Sequence, residues 1–306
     1  MTRTVEDMSS FGSSVTHACA VAVSDEHLWE LSSSFIEDGI TAGDHVLYFD
    51  DGTSDRVLER LLDDGLDLGG LRDAGQLEVV PAEATRAALR SPIDMFCQLL
   101  TATVDSALEG GFSGVRWTGR FNYGPTPGNG HTQREYEAAL DSTIRGRPAR
   151  VLCLYDRAHF PDDVIEAMRT AHRVEIGTTT IYDDNLLRVT ATAQGSARLA
   201  GEVDYSNRAQ VRKLLASELD TALRSPAAPR EIRLDVSSLR FVDVAGAVGF
   251  VHSAEEFPSS HRLVLDGVRP RVARVLDRCG APFAAQLITH AHGERHAAAL
   301  PVEVRV

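Results

Sequence analysis

The sequence predicts an α/β protein of two units, each a sheet flanked by helices. Three observations carry this. Short apolar runs of strand type alternate with segments whose apolar residues recur at three- and four-residue spacing. Strands separated by helices imply crossover connections, and so a mostly parallel sheet. The 306 residues, 43% hydrophobic and 25% charged, suffice for about two domains at roughly 100–200 residues each.

The first unit reads in order as follows. HACAVAV (17–23) is a strand. The helix after it carries Leu28, Leu31, Phe35 and Ile36 on one face and ends at Gly39. DHVLYFD (44–50) is a buried strand. A helix capped by Ser54 or Asp55 follows, with Val57, Leu58, Leu61 and Leu62 on one side. GQLEVVPA is a strand. A long helix then runs from Pro92 to Gly110, with proline near its start and glycine near its end. GVRWTGRF, REYEAALDSTI, ARVLCLYD and PDDVIEAMRTAH continue the alternation of strand and helix.

The polar, turn-prone stretch at 177–186 separates this unit, placed at 16–176, from a second at 187–291. There LRVTATAQGSARLAGEVD is a pair of strands turning at Gln194–Gly195. A helix follows with Val211, Leu214, Leu215, Leu219 and Leu223 on one face. EIRLDVSS is a strand, FVDVAG a turn, and AGAVGFVHSAEE a helix. HRLVLDGV, PRVARVLDRCG and AAQLITHA complete the unit as strand, helix and strand.

Charge divides unevenly between the two. Residues 1–184 hold 31 Asp and Glu against 15 Arg, a net of −16; residues 185–306 carry a net of +3. The acidic part repels phosphates, and the second part has no basic stripe, so no direct nucleic-acid partner is expected. No apolar run reaches the ~18 residues of a membrane span, and the N-terminus lacks an apolar signal core. A cytoplasmic protein without a membrane partner is expected. The four cysteines, Cys19, Cys97, Cys153 and Cys279, include no C-x-x-C pair and read as reduced thiols.

The second unit resembles a STAS domain, the fold of anti-sigma factor antagonists. The landmarks are Gly201 and Asp204 in LAGEVD, Asp235, Asp243 and Gly246 in FVDVAG, and the run GVRPRVARVL. The resemblance implies a kinase-like anti-sigma factor or related signalling protein as partner, with Asp204, Asp243, Val244, Ala245 and Gly246 facing it. Regulated relatives read D-S-[ST]-G and are phosphorylated on the first serine. This chain reads D-V-A-G, and Val244 has no hydroxyl to accept a phosphoryl group. Asp243 retains the ability to cap the helix. Ser237 and Ser238 are the nearest hydroxyls and read as turn-shaping residues.

The first unit resembles a MEDS sensory domain on HACAVAVSDEHLWELSSSFIEDGITAGDHVLYFDD, GGFSGVRWTGRFNYG and ARVLCLYDRAHFPDDVIEAMRTAH. The resemblance implies a RecA-like sheet and an undefined small-molecule ligand. Relatives commonly read TGE where this chain has Thr118, Gly119 and Arg120. ATP chemistry of the P-loop kind is excluded, because the only lysine, Lys213, lies in the second unit. Open α/β sheets place ligands at strand ends. The candidates there are His17, Arg116, Trp117, Gly119, Arg120, Tyr155 and Asp156, with Arg116 and Arg120 either an anion clamp or salt-bridge partners.

No cofactor and no metal are expected. His17 and Cys19 share a strand face, but a metal would require further ligands such as Cys153 and His159. A buried cysteine beside a hydrogen-bonded histidine is the simpler reading. His290, His292 and His296 read as an exposed tail. The glycine-rich loop at 124–131 is weak evidence for phosphate binding. No G-x-S-x-G, H-E-x-x-H or G-x-G-x-x-G pattern occurs, so no enzymatic activity is expected. The sequence thus reads as a two-module sensor and signalling regulator. A ligand-transforming enzyme and a non-sensing interaction protein are the alternatives.

Overall fold

The computed structural model describes residues 4–6, 15–52, 54–63, 65–120, 130–177, 179–225 and 227–292. Of the glycine-rich loop, residues 124–129 lie outside the described residues, as does His296 of the tail. The chain divides into two compact units, Met1–Thr178 and Thr179–Val306.

The first unit is built on strands β1 (Thr4–Glu6), β2 (His17–Ala22), β3 (His45–Phe49), β4 (Leu77–Val80), β5 (Val115–Arg120), β6 (Ala149–Asp156) and β7 (Val174–Ile176). They form one sheet in the order β1-β7-β2-β6-β5-β3-β4. Every pairing is parallel. The helices are α1 (Asp25–Ala42), α2 (Ser54–Asp63), α3 (Leu68–Asp73), α4 (Ala82–Arg90), α5 (Ile93–Glu109), α6 (Gln133–Ile144) and α7 (Asp162–Ala171). The α/β class with a mostly parallel sheet is therefore observed.

Strand periodicity of two assigns each residue to a layer. In β2, Ala18, Ala20 and Ala22 join the core that includes Leu28, Leu31, Phe35 and Ile36 of α1. Cys19 and Val21 join the opposite core, with Phe96, Leu100 and Val104 of α5, Leu140 of α6 and Met168 of α7. All six β2 residues are buried, as expected of a strand covered on both faces. Each fully buried Leu, Ile or Phe contributes about 1.5–3 kcal/mol.

Local chemistry sets the helix ends. The Ser24 hydroxyl accepts from the His27 N–H and starts α1, and Gly43 at φ 76° ends it. Thr132 and Glu135 cap each other's backbone N–H groups at the start of α6.

The second unit holds β8 (Thr179–Asp183), β9 (Leu187–Ala193), β10 (Ser196–Val203), β11 (Glu231–Asp235), β12 (Leu239–Val242), β13 (Arg262–Val268) and β14 (Leu287–Ala291). The order is β14-β13-β11-β10-β9-β8, and β12 also pairs with β10. The β8–β9–β10 ribbon is antiparallel, and the remaining pairings are parallel. Helices α8 (Arg208–Arg224), α9 (Val244–Glu255) and α10 (Pro270–Arg278) accompany it. The core gathers Leu199, Val211, Leu215, Leu234, Phe250, Leu265 and Leu276.

Several elements differ from the sequence reading. The stretch at 177–186, read as a linker, contains β8, which pairs with β9. Helices α3 and α4 and strands β1, β7 and β12 were not anticipated. Most are short, from three to six residues, and too brief to show a periodicity.

Candidate functional site

Three places in the structure carry functional chemistry: a polar cluster at the carboxyl ends of the first sheet, a buried cluster beneath α6 and α7, and the start of α9 in the second unit.

Asp156 closes β6 and Arg120 closes β5. The Arg120 guanidinium hydrogen-bonds to Asp51, and its Nη1 lies 2.9 Å from Asp156 Oδ2 and 3.2 Å from His159 Nδ1. Asp156 Oδ1 also accepts from the Ala158 N–H at 2.7 Å. Arg120 is therefore held by two carboxylates. Gly119 lets this edge close: a Cβ there would sit 2.5 Å from the Phe49 carbonyl oxygen.

Arg116 lies elsewhere. Its Nε donates to Asp44 Oδ2 at 2.9 Å, and its guanidinium stacks over Phe35 at 5.1 Å. A Cβ on Gly39 would be 2.6 Å from Arg116 Cδ, so a glycine in α1 gives this buried arginine its passage. The structure thus does not bring Arg116 and Arg120 together into one clamp; both are salt-bridged.

Trp117 is buried and lines a cavity of about 700 Å³. The cavity lies between β3, β4 and β5 on one side and α4 and α5 on the other, and its other walls include Leu47, Val80, Phe96, Leu100 and Thr103. His45 and Glu78, 3.6 Å apart, provide polar groups. Burial lowers the His45 pKa against the opposing pull of Glu78. A lining of this kind suits a small, mostly apolar molecule.

His17 and Tyr155 belong to the buried cluster. His17 Nε2 is 3.3 Å from Glu137 Oε2 and 3.4 Å from Cys153 Sγ. Cys153 Sγ is 3.4 Å from the same Glu137 oxygen. The Tyr155 hydroxyl donates to Glu137 Oε1 at 2.8 Å. His172 donates from Nδ1 to the Met168 carbonyl at 2.8 Å and turns Nε2 to within 3.5 Å of Glu137 Oε2. For His17, burial by itself lowers the pKa, but hydrogen bonds to Asp141 and Glu137 outweigh it and raise the group to about 9. For Glu137, burial is outweighed by the two imidazoles, which hold the carboxyl well below its usual range. Burial, aided by Glu137, pushes up the Cys153 thiol and the Tyr155 hydroxyl.

His159, one of the further ligands named from sequence, sits at the Arg120 edge, away from His17. Cys153 is the one that meets His17. Glu137 and His172 escaped the sequence reading, although a signal was present. Glu137 falls in the apolar stripe of α6 with Leu140 and Ile144, and His172 follows directly on α7, whose stripe holds Ile165 and Met168. An ionisable residue in a core stripe is the mark of a buried polar site.

In the second unit, Asp204 follows β10 and Asp243 follows β12; the Asp243 N–H donates to the Val203 carbonyl. Asp243 caps α9, its Oδ1 accepting from the Gly246 N–H at 2.5 Å, while Arg208 holds its Oδ2 at 3.2 Å. Asp204 accepts from Ser206 in the turn before α8. Asp204, Asp243, Val244, Ala245 and Gly246 are thus gathered at one edge. Val244 is 67% exposed, with Tyr205 at 79% and Phe241 at 47% on the same strand ends.

Ser238 is 1% exposed and accepts from Arg198 Nη2 at 2.6 Å. The Ser237 N–H donates to Asp235, and its carbonyl accepts from Arg269. Both serines shape the turn. In the tail, His290 lies in β14, 2.7 Å from Asp266 Oδ1.

Fold and sites together define a two-unit α/β protein, with an apolar cavity in one unit and an exposed helix start in the other. A family model described as the MEthanogen/methylotroph, DcmR Sensory domain, MEDS, matches residues 16–173, and a STAS domain model matches residues 189–291. The chain belongs to the MEDS family and carries a STAS domain after its sensory part. No curated protein matches it. A solved structure similar to it is that of the flagellar accessory protein FlaH from Methanocaldococcus jannaschii, at 10% identity and a TM-score of 0.43, covering 62% of this chain and 81% of that one. Among the described residues no helix is long and apolar enough to cross a membrane.

Proposed function

We propose that the chain is a cytoplasmic signalling regulator of the anti-sigma factor antagonist type, governed by a ligand rather than by phosphorylation. The first unit binds a small, mostly apolar molecule, and the second docks a kinase-like anti-sigma factor. The cavity of about 700 Å³ inside the sensory unit is the observation that carries this reading. The role is binding and release, with no catalytic step assigned to either unit.

The α9 start supports the second half. STAS domains bind signalling proteins, and Val244, Tyr205 and Phe241 offer exposed apolar contact around a capped helix end. Val244 and Ala245 leave that end without a phosphoryl acceptor, and the Ser238 hydroxyl is buried in a hydrogen bond to Arg198. A ligand controls docking only if it binds the docking-competent and incompetent states with different affinity.

Two measurements test the reading. Small alcohols and hydrocarbons at about 100 times their Kd raise stability by about 2.7 kcal/mol if they occupy the cavity, and Thr103→Phe, which fills it, abolishes the shift. An absence of any shift, or turnover of the bound molecule, overturns the sensing role. With the partner kinase, the native chain takes up no phosphate and Val244→Ser does. Phosphate on the native second unit overturns the proposed mode of control.

A further inference from the structure

We propose that His17, Glu137, Cys153 and His172 form a buried zinc site in the first unit. The four donors come from β2, α6, β6 and the residue following α7. A zinc ion between them ties both helices to two adjacent strands. The inference is independent of the cavity and of the docking edge.

Geometry is the first support. Zinc bonds of about 2.0–2.3 Å at tetrahedral angles place neighbouring donor atoms roughly 3.3–3.8 Å apart. Glu137 Oε2 lies 3.3 Å from His17 Nε2, 3.5 Å from His172 Nε2 and 3.4 Å from Cys153 Sγ. Cys153 Sγ lies 3.4 Å from His17 Nε2. Four edges of a tetrahedron are thus already at their proper lengths, and all four donors lie within 4.8 Å of one another.

The orientation of the histidines is the second support. His172 is 4% exposed, its Nδ1–H is fixed on the Met168 carbonyl, and its buried Nε2 makes no hydrogen bond. That nitrogen points to the centre, 3.5 Å from Glu137 Oε2. His17 directs Nδ1 towards Asp141 Oδ1 at 3.6 Å and Nε2 towards the same centre. Tyr155 holds the outer oxygen of Glu137. An outer shell of carbonyl, carboxylate and hydroxyl that aims the inner donors is what metal sites require.

The donor set selects the metal. Two imidazoles, a thiolate and a carboxylate in a tetrahedron suit zinc, whereas magnesium and calcium take oxygen ligands. With four protein donors and no open coordination position, the site is structural. Binding displaces to solvent the Cys153 thiol proton and the Nε2 protons of His17 and His172, leaving a thiolate and two neutral imidazoles on the metal.

The full chain, purified without a polyhistidine tag, is expected to hold one zinc per molecule by elemental mass spectrometry. Replacement by cobalt(II) gives the intense visible bands of a tetrahedral site and a thiolate-to-cobalt band in the near ultraviolet. Cys153→Ser removes the near-ultraviolet band. Asp141→Asn keeps the fold and weakens metal affinity by about 10–100-fold, and His290→Ala with His292→Ala changes nothing. Native protein that contains no zinc and takes up no cobalt overturns the proposal and leaves the cluster a hydrogen-bonded network. So does metal content that survives in the Cys153→Ser, His172→Ala double variant.

Discussion

Asp184 organises the opening turn of the second unit with a single carboxylate. Its Oδ1 accepts from the N–H groups of Leu186 and Leu187, and its Oδ2 from the Tyr182 hydroxyl and the Asn207 amide. Burial by itself raises a carboxyl pKa, but these donors outweigh it and lower that of Asp184 below its ordinary value. The ionised form is therefore favoured by folding. Its stabilisation is complete above the unfolded carboxylate range and is lost as pH falls through the lower folded value. Asp184→Asn is expected to lower stability by about 1 kcal/mol at neutral pH and to flatten the acid limb of a pH–stability profile. An unchanged acid limb contradicts this. The segment around it looks like a linker because its residues are polar. In the fold, those polar groups satisfy backbone donors, a use that composition does not reveal.

At the scale of elements, α9 shows what a cap does for a docking edge. Asp243 holds the Gly246 N–H and is itself held by Arg208 of α8. Asp243→Ala is expected to cost about 0.5–2 kcal/mol, read by chemical denaturation, and to weaken partner binding with it. Intact stability would show the cap to be dispensable. The capping role of Asp243 was legible in FVDVAG, because an aspartate before an apolar helical run is a helix-start signal. The joining of β10 and β12 beneath it was not. That depends on Val203 and Asp243 pairing across forty residues of chain. Likewise, Glu137 in α6 and His172 just after α7 are each visible locally, but only the crossovers that lay α6 and α7 over β2 and β6 bring them to His17 and Cys153.

For the whole molecule, charge makes a separate prediction. Residues 1–178, the first unit, hold 29 Asp and Glu against 15 Arg, a net of −14, and self-repulsion of this kind destabilises a compact unit. Raising monovalent salt to about 0.5 M screens it, and the melting temperature of the first unit is expected to rise by a few degrees, followed by calorimetry. A fall would show that the surface ion pairs outweigh the repulsion. The sequence by itself determined the α/β class, the two units, the D-V-A-G helix start without a hydroxyl, and the lack of a P-loop lysine. These follow from local spacing and residue type. Only the tertiary structure decided that Arg116 and Arg120 are separately salt-bridged, that Trp117 faces a cavity, and that His17 meets Cys153, Glu137 and His172. Those facts depend on strand order and on which face each helix covers, and neither is written in any single stretch of sequence.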